Sequence, residues 1–147
     1  MIYLFVVDTS ASMNQQAPNG MTLLDSAKSA IEYFVTLRSR DPMFKRDKFL
    51  LVTCEEGLGG IKVGWKDTMD TFNHEVKNPK ALDLTDIGTA LKKAFVLLNI
   101  NRFQYNVDAY GQGRMPWLID PTTIILFSDG GYPNDKTSVY HTVSLES

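Results

Sequence analysis

Near its start the chain carries Ile2, Tyr3, Leu4, Phe5, Val6 and Val7, six apolar residues without a polar interruption. A run this short, rich in β-branched and aromatic residues, reads as a strand, and a strand with no polar face has to be covered on both sides. That need restricts the fold first: a two-sided strand belongs in a mainly parallel sheet with helices on each face. The run then breaks into Asp8, Ser10 and Ser12, a carboxylate and two hydroxyls at alternate positions. One end of the strand is all core, and the other offers only small oxygen ligands.

The rest of the chain fits such a sheet. Leu23, Leu24, Ala27, Ala30, Ile31, Phe34 and Val35 recur at helical steps between Met21 and Arg38, and Asp41-Pro42 ends that helix. Phe49 to Thr53 is a second short strand. Gly57, Gly59 and Gly60 mark a turn, and Ile61 to Trp65 reads as an antiparallel edge strand. Met69, Phe72 and Val76 share one helical face, as do Ile87, Leu91, Ala94, Phe95 and Leu98. From Asn101 to Pro121 a polar and aromatic stretch with glycines and prolines reads as a long connection. Thr123 to Phe127 is a buried strand again, followed by Ser128-Asp129-Gly130. The expected fold class is a doubly wound α/β domain with a mainly parallel sheet and helices on both faces. Ligand sites in such folds sit past the carboxyl ends of the strands, near a switch point in strand order. Ile2–Val7 and Thr123–Phe127 both end in this way, in an aspartate among small residues.

Composition excludes several classes. The 147 residues are of one-domain size, and a formal net charge of −2 argues against direct nucleic-acid binding, which needs a basic excess. The local group Arg38, Arg40, Lys45, Arg46 and Lys48 reads as a solvated helix end and loop. With one cysteine, Cys54, there is neither an intrachain disulfide framework nor a cysteine-based metal site. Cys54 itself reads as a small buried residue at a strand end. His74 and His141 share no ligand or catalytic motif. The opening apolar run has no basic flank and meets Asp8 too soon for a signal peptide, and no segment reaches membrane-spanning length.

Asp8, Ser10 and Ser12 can face one side if their loop stays extended. Asp129 leaves another strand end, and Thr85, in LTDIGTAL, precedes a helix as a candidate N-cap. Two carboxylates and three hydroxyls make an all-oxygen set of the kind Mg²⁺ takes, with Mn²⁺ also compatible. Two formal charges leave a divalent cation electrophilic, ready for a carboxylate from a protein partner. The same residues also serve as an ordinary turn and capping cluster with no metal. Asp25, Asp83 and Asp86 read as solvated or capping residues.

D-x-S-x-S after the first strand, T-D-I-G-T-A-L opening a helix and S-D-G after a later strand resemble a von Willebrand factor A domain. They match its metal-ion-dependent adhesion site, and the resemblance puts the metal ligands on Asp8, Ser10, Ser12, Thr85 and Asp129. A narrower resemblance runs through DTSASMNQ, TLLDSAKSAIEYFVTLRSRDP, LVTCEE, GIKVGWKDTMDTF and, most tellingly, DAYGQGRMPWLIDP. It is to the amino-terminal domains of the Integrator subunit 6 family. That likeness implies a nuclear, non-catalytic interaction domain of a complex acting on RNA polymerase II transcripts. It also implies Integrator subunits and protein phosphatase 2A as partners. Tyr110, Arg114 and Trp117 are of the residue types that anchor interfaces, and a loop packing its own aromatics accounts for them equally well.

The A-domain pattern continues after S-D-G with a helix, a strand and a closing helix. Residues 130–147 are too few for all three, so residues 1–147 are expected to form a single such domain, incomplete at its C-terminus. Among enzymes, a phosphatase of the haloacid dehalogenase type needs a second acid two residues after the nucleophilic aspartate, and Ser10 stands there. No histidine lies in a serine-hydrolase context, and no glycine-rich phosphate loop is present. A scaffold whose metal site is vestigial is the remaining alternative.

Overall fold

The computed structural model describes residues 1–82, 86–112 and 121–130, with 58 and 101–112 described by their backbone alone. Four strands form one sheet: β1 (Ile2–Val7), β2 (Lys48–Thr53), β3 (Ile61–Val63) and β4 (Thr122–Phe127). Their order is β3-β2-β1-β4. β1 pairs in parallel with β2 on one side and β4 on the other, while β3 runs antiparallel to β2. Three helices connect them: α1 (Leu23–Arg38), α2 (Met69–Lys77) and α3 (Ile87–Gln112).

The unbroken apolar run does what two-sided burial requires. Tyr3, Phe5 and Val7 face one way into a core with Leu24, Ala27, Ile31 and Val35 of α1 and Phe72 and Val76 of α2. Ile2, Leu4 and Val6 face the other way, with Leu50 and Val52, onto Ala90, Leu91, Ala94 and Leu97 of α3. Alternate strand residues thus feed two separate cores, the geometry of a pleated strand. The first core is rich in aromatics: the Phe5 ring lies among Phe34, Phe49, Phe72 and Phe127, with centroids 5.8–6.4 Å away. At its lower edge the Arg38 guanidinium lies over Tyr3 and pairs with Asp47 at 2.8 Å.

Helix starts are set by local chemistry. The Thr22 hydroxyl accepts from the Asp25 amide, and Thr68 does the same for Thr71, each satisfying a backbone donor that the first turn leaves open. For α3 the cap is Asp86, whose carboxylate takes the Thr89 amide at 3.0 Å and also its hydroxyl. Asp86, read from the sequence as solvated or capping, has two oxygens that hold both groups, while the candidate N-cap Thr85 lies outside the described residues.

Two expectations change. The stretch after Leu98 is not a connection up to Gln112: α3 continues through it. No proline interrupts residues 101–112, and the polar residues there cost a helix little. The third strand stops at Val63, because Gly64 turns the chain and its amide is taken by the Asp67 carboxylate at 2.7 Å. Among the described residues β4 is the outer strand on its side, with Leu126 exposed. No helix there is long and apolar enough to cross a membrane.

Phe5 has no exposed surface and four ring neighbours, so Phe5→Ala should lower unfolding stability by about 3–5 kcal/mol in urea melts. Tyr33→Ala, at an exposed site on α1, should change it by less than about 0.5 kcal/mol.

Candidate metal centre

Strand register decides which side chains meet. Val7 is level with Thr53 on one side and with Phe127 on the other. The next residues, Cys54, Asp8 and Ser128, therefore leave three adjacent strands side by side. The ladder runs one step beyond β1, since the Asp8 amide donates to the Phe127 carbonyl at 2.8 Å. β1 is also where the strand order reverses, with its crossover through α1 going one way and β4 lying the other. That is the switch point at which such sheets hold ligands.

The Asp8 carboxylate is fully buried and braced at both oxygens. Oδ1 accepts from the Ser10 amide at 2.9 Å, closing a tight turn, and the Cys54 Sγ lies 3.9 Å from the same oxygen. Oδ2 accepts from the Ser128 hydroxyl at 3.1 Å. Ser128 in turn accepts from the Gly130 amide, and Gly130 has a φ of 77°, a conformation for which glycine is the default residue. This clamp sets Asp129, half-buried, in the turn that abuts Asp8.

Ser10 is buried, with extended backbone, and Ser12 begins the exposed side of a short 3-10 turn, Ala11–Asn14. Met13 anchors that turn in the aromatic core. The two hydroxyls, Ser10 Oγ and Ser12 Oγ, stand 2.9 Å apart. In octahedral Mg²⁺ coordination, with Mg–O near 2.1 Å, neighbouring oxygens lie about 3.0 Å apart. The donor chemistry and the spacing both fit a small hard cation, and the same spacing makes an ordinary hydrogen bond between hydroxyls.

Thr85 lies outside the described residues, as do Arg114 and Trp117, while Tyr110 falls in α3 where only the backbone is described. Two neighbours bring the start of α3 toward the site. The Asn14 side chain donates to the Ala81 carbonyl at 3.0 Å, and the Asp86 amide reaches the Cys54 thiol. Burial pushes that thiol up to about 11, against the opposing pull of the Thr9 and Asp86 amides; the Asp8 and Asp86 carboxylates add to the rise. A neutral thiol is a weak donor to Asp8 and no metal ligand. No group of three or more His, Cys, Asp or Glu that could hold a metal occurs among the described residues, which leaves the hydroxyl-rich set as the candidate.

Sequence reasoning did not single out Asn14 or Ser128, or the link from Cys54 to Asp8. Ser128 was readable in S-D-G as the residue one step past its strand. The Asn14 and Cys54 contacts span 67 and 46 positions and left no local signal.

A mainly parallel sheet with an aspartate–serine loop at its switch point defines a class. The von Willebrand factor type A domain family matches residues 3–131, and the chain belongs to that family. Its sequence is similar to Integrator complex subunit 6-A of Xenopus laevis, 52% identical over 129 residues and 88% of this chain. Human Integrator complex subunit 6 is 50% identical over the same share, and the Dictyostelium discoideum homologue of subunit 6 is 46% identical over 99% of this chain. The chain spans only 13 to 15% of the length of these relatives.

The raised thiol gives a pH test. Unfolded, Cys54 ionises near 9; folded, near 11, so the unfolded chain loses its proton first as pH rises. Stability from this group is complete below pH 9 and falls through pH 11, by up to about 3 kcal/mol. Cys54→Ala should flatten the stability profile between pH 9 and 11 relative to wild type in chemical melts.

Proposed function

We propose that the chain is a non-catalytic recognition domain with a metal-ion-dependent adhesion site. Asp8 and Asp129 supply the two carboxylates, and Ser10, Ser12 and Thr85 supply hydroxyls, directly or through water, to Mg²⁺, with Mn²⁺ as an alternative. The reading is carried by one observation: a buried carboxylate braced at both oxygens beside two hydroxyls 2.9 Å apart, at the switch point of the sheet. A bound Mg²⁺ supplies positive charge that two carboxylates only balance, so an acidic side chain of a partner is the natural incoming ligand. Asp8, locked by Ser10 and Ser128, holds its position, while the half-exposed Ser12 faces the partner side.

The similarity to Integrator subunit 6 supports placing the domain in an Integrator assembly, hence in the nucleus and in the processing and termination of RNA polymerase II transcripts, including small nuclear RNA. By the same resemblance the partners are Integrator subunits and protein phosphatase 2A, with no nucleic acid or membrane contacted directly. Catalysis is disfavoured by the site itself. Ser10 stands where a phosphatase needs its second acid, and His74, on the exposed face of α2, has no link to Asp8 among the described residues.

One observation favours a second reading. Protein donors satisfy both oxygens of Asp8, so a scaffold with a vestigial metal site would also hold its shape. Affinity capture from nuclear extract with the tagged chain separates the two. Capture of Integrator or phosphatase subunits that is lost with chelator and with Asp129→Ala supports the metal bridge; equal capture in all samples supports the scaffold. Absence of these proteins from every sample removes the Integrator assignment, and turnover of p-nitrophenyl phosphate that Asp8→Asn abolishes would reinstate an enzyme.

Calorimetric titration gives a further test. Asp129→Ala should abolish Mg²⁺ binding with a smaller stability loss than Asp8→Ala, since Asp129 is half-buried and Asp8 fully buried. Asp8→Ala should abolish binding and also destabilise, by about 1–3 kcal/mol, since it strips the partner from buried donors. Unchanged Mg²⁺ affinity in both variants would reject the ligand assignment.

A further inference from the structure

Beside the Asp8 loop the fold leaves a cavity of about 300 Å³, lined by Thr53, Glu55, Lys62, Asn78, Lys80 and Leu82, with Thr9 in its inner wall. The charges around it do not cancel. Glu55 pairs with Lys62, and its carbonyl also accepts from Lys93. Lys80 is exposed and makes no ion pair among the described residues. Among the described residues, two ammonium groups thus line the cavity against one carboxylate.

Its inner wall has an unused donor. Thr53 is 1% exposed; its hydroxyl oxygen accepts from the Glu55 amide at 3.4 Å. The O–H of the same group has no acceptor among the described residues. A buried hydroxyl donor and an ammonium with no ion pair among the described residues, on one cavity, suit an anion with two acceptor oxygens. The anion is limited in charge, because Glu55 and the carboxyl end of α2, capped at Asn78, both oppose it. A monoanionic carboxylate fits these limits better than a dianionic phosphate.

Position links the cavity to the metal centre. Thr9 lines it, while Asp8 and Ser10, on either side in sequence, carry the oxygens of the metal set. The cavity and the metal centre are therefore neighbours on one loop. We infer that the cavity is a second anion subsite, which takes a carboxylate side chain of the same partner segment whose first carboxylate meets the metal centre. The inference rests on the recognition reading above. At about 3.3 Å per extended residue, acidic residues two or three positions apart span about 7–10 Å, enough to cross the loop. Exposed Leu82 offers an apolar contact at the rim. The partner is therefore an extended acidic peptide with paired carboxylates.

The test is an amide-shift titration by NMR of the whole chain in Mg²⁺. Its probes are acetylated Asp-Gly-Gly-Glu and Asp-Gly-Gly-Gln amides and the phosphoserine analogue of the former. The Glu peptide should shift Thr53 and Lys80 as well as Ser10 and Gly130, and bind about fivefold tighter than the Gln peptide. Lys80→Gln, at an exposed site that leaves the fold intact, should erase that difference and keep the Ser10 and Gly130 shifts. Shifts at Thr53 and Lys80 with none at Ser10 or Gly130 would sink the metal reading and leave the subsite supported. Equal affinity for the Glu and Gln peptides, or no shift at Thr53 and Lys80, overturns the subsite whatever the metal side does. Tightest binding by the phosphoserine peptide overturns the carboxylate assignment.

Discussion

The pairing of β1 on both of its edges is the constraint from which the rest of the structure follows. Parallel ladders to β2 and β4 fix three strand ends at one level, so Cys54, Asp8 and Ser128 emerge side by side. A slip of one residue in either ladder would turn every side chain of that strand to the opposite face. It would also carry Ser128 or Cys54 away from Asp8. Burial of the alternate faces of β1 in two different cores makes such a slip costly: the aromatic set around Phe5 and the aliphatic set around Leu4 do not exchange. Core packing and site geometry are thus one specification.

A buried carboxylate needs hydrogen bonds, and Asp8 obtains them from the two neighbouring strand ends and its own loop. The surroundings are graded. Asp8 and Ser10 are sealed, Ser12 and Asp129 are partly open, and the cavity of Lys80 and Thr53 begins beside the same loop. Rigid groups lie inward, where an ion would be held, and the open ones face outward, where a partner would arrive. That grading suits recognition, for which a site should be formed before the partner binds.

Some contacts were legible because they are local. The run Ile2–Val7 announced a two-sided strand, and the alternation Asp8, Ser10, Ser12 announced a loop of small oxygen-bearing side chains, in which the two serine hydroxyls stand 2.9 Å apart. The spacing of Leu24, Ala27, Ile31 and Val35 announced the buried face of α1. The weak points were those where composition misled. Asn101 to Gln112 is polar enough to read as a connection, yet nothing in it stops a helix that Ile87 to Leu98 has already begun. Asp86 caps that helix, one of two adjacent candidates between which pattern alone does not choose.

From the residues alone follow the class of fold, through the apolar run that must be covered twice, and a concentration of small oxygen-bearing residues at strand ends. Tertiary structure alone decided which of these residues meet. Ser128 reaches Asp8 across 120 positions because parallel pairing sets β4 beside β1, and Asn14 holds Ala81 across 67. Contacts at that separation leave no periodic trace in the chain. They exist only once the hydrophobic faces of β1 have fixed the register of the sheet.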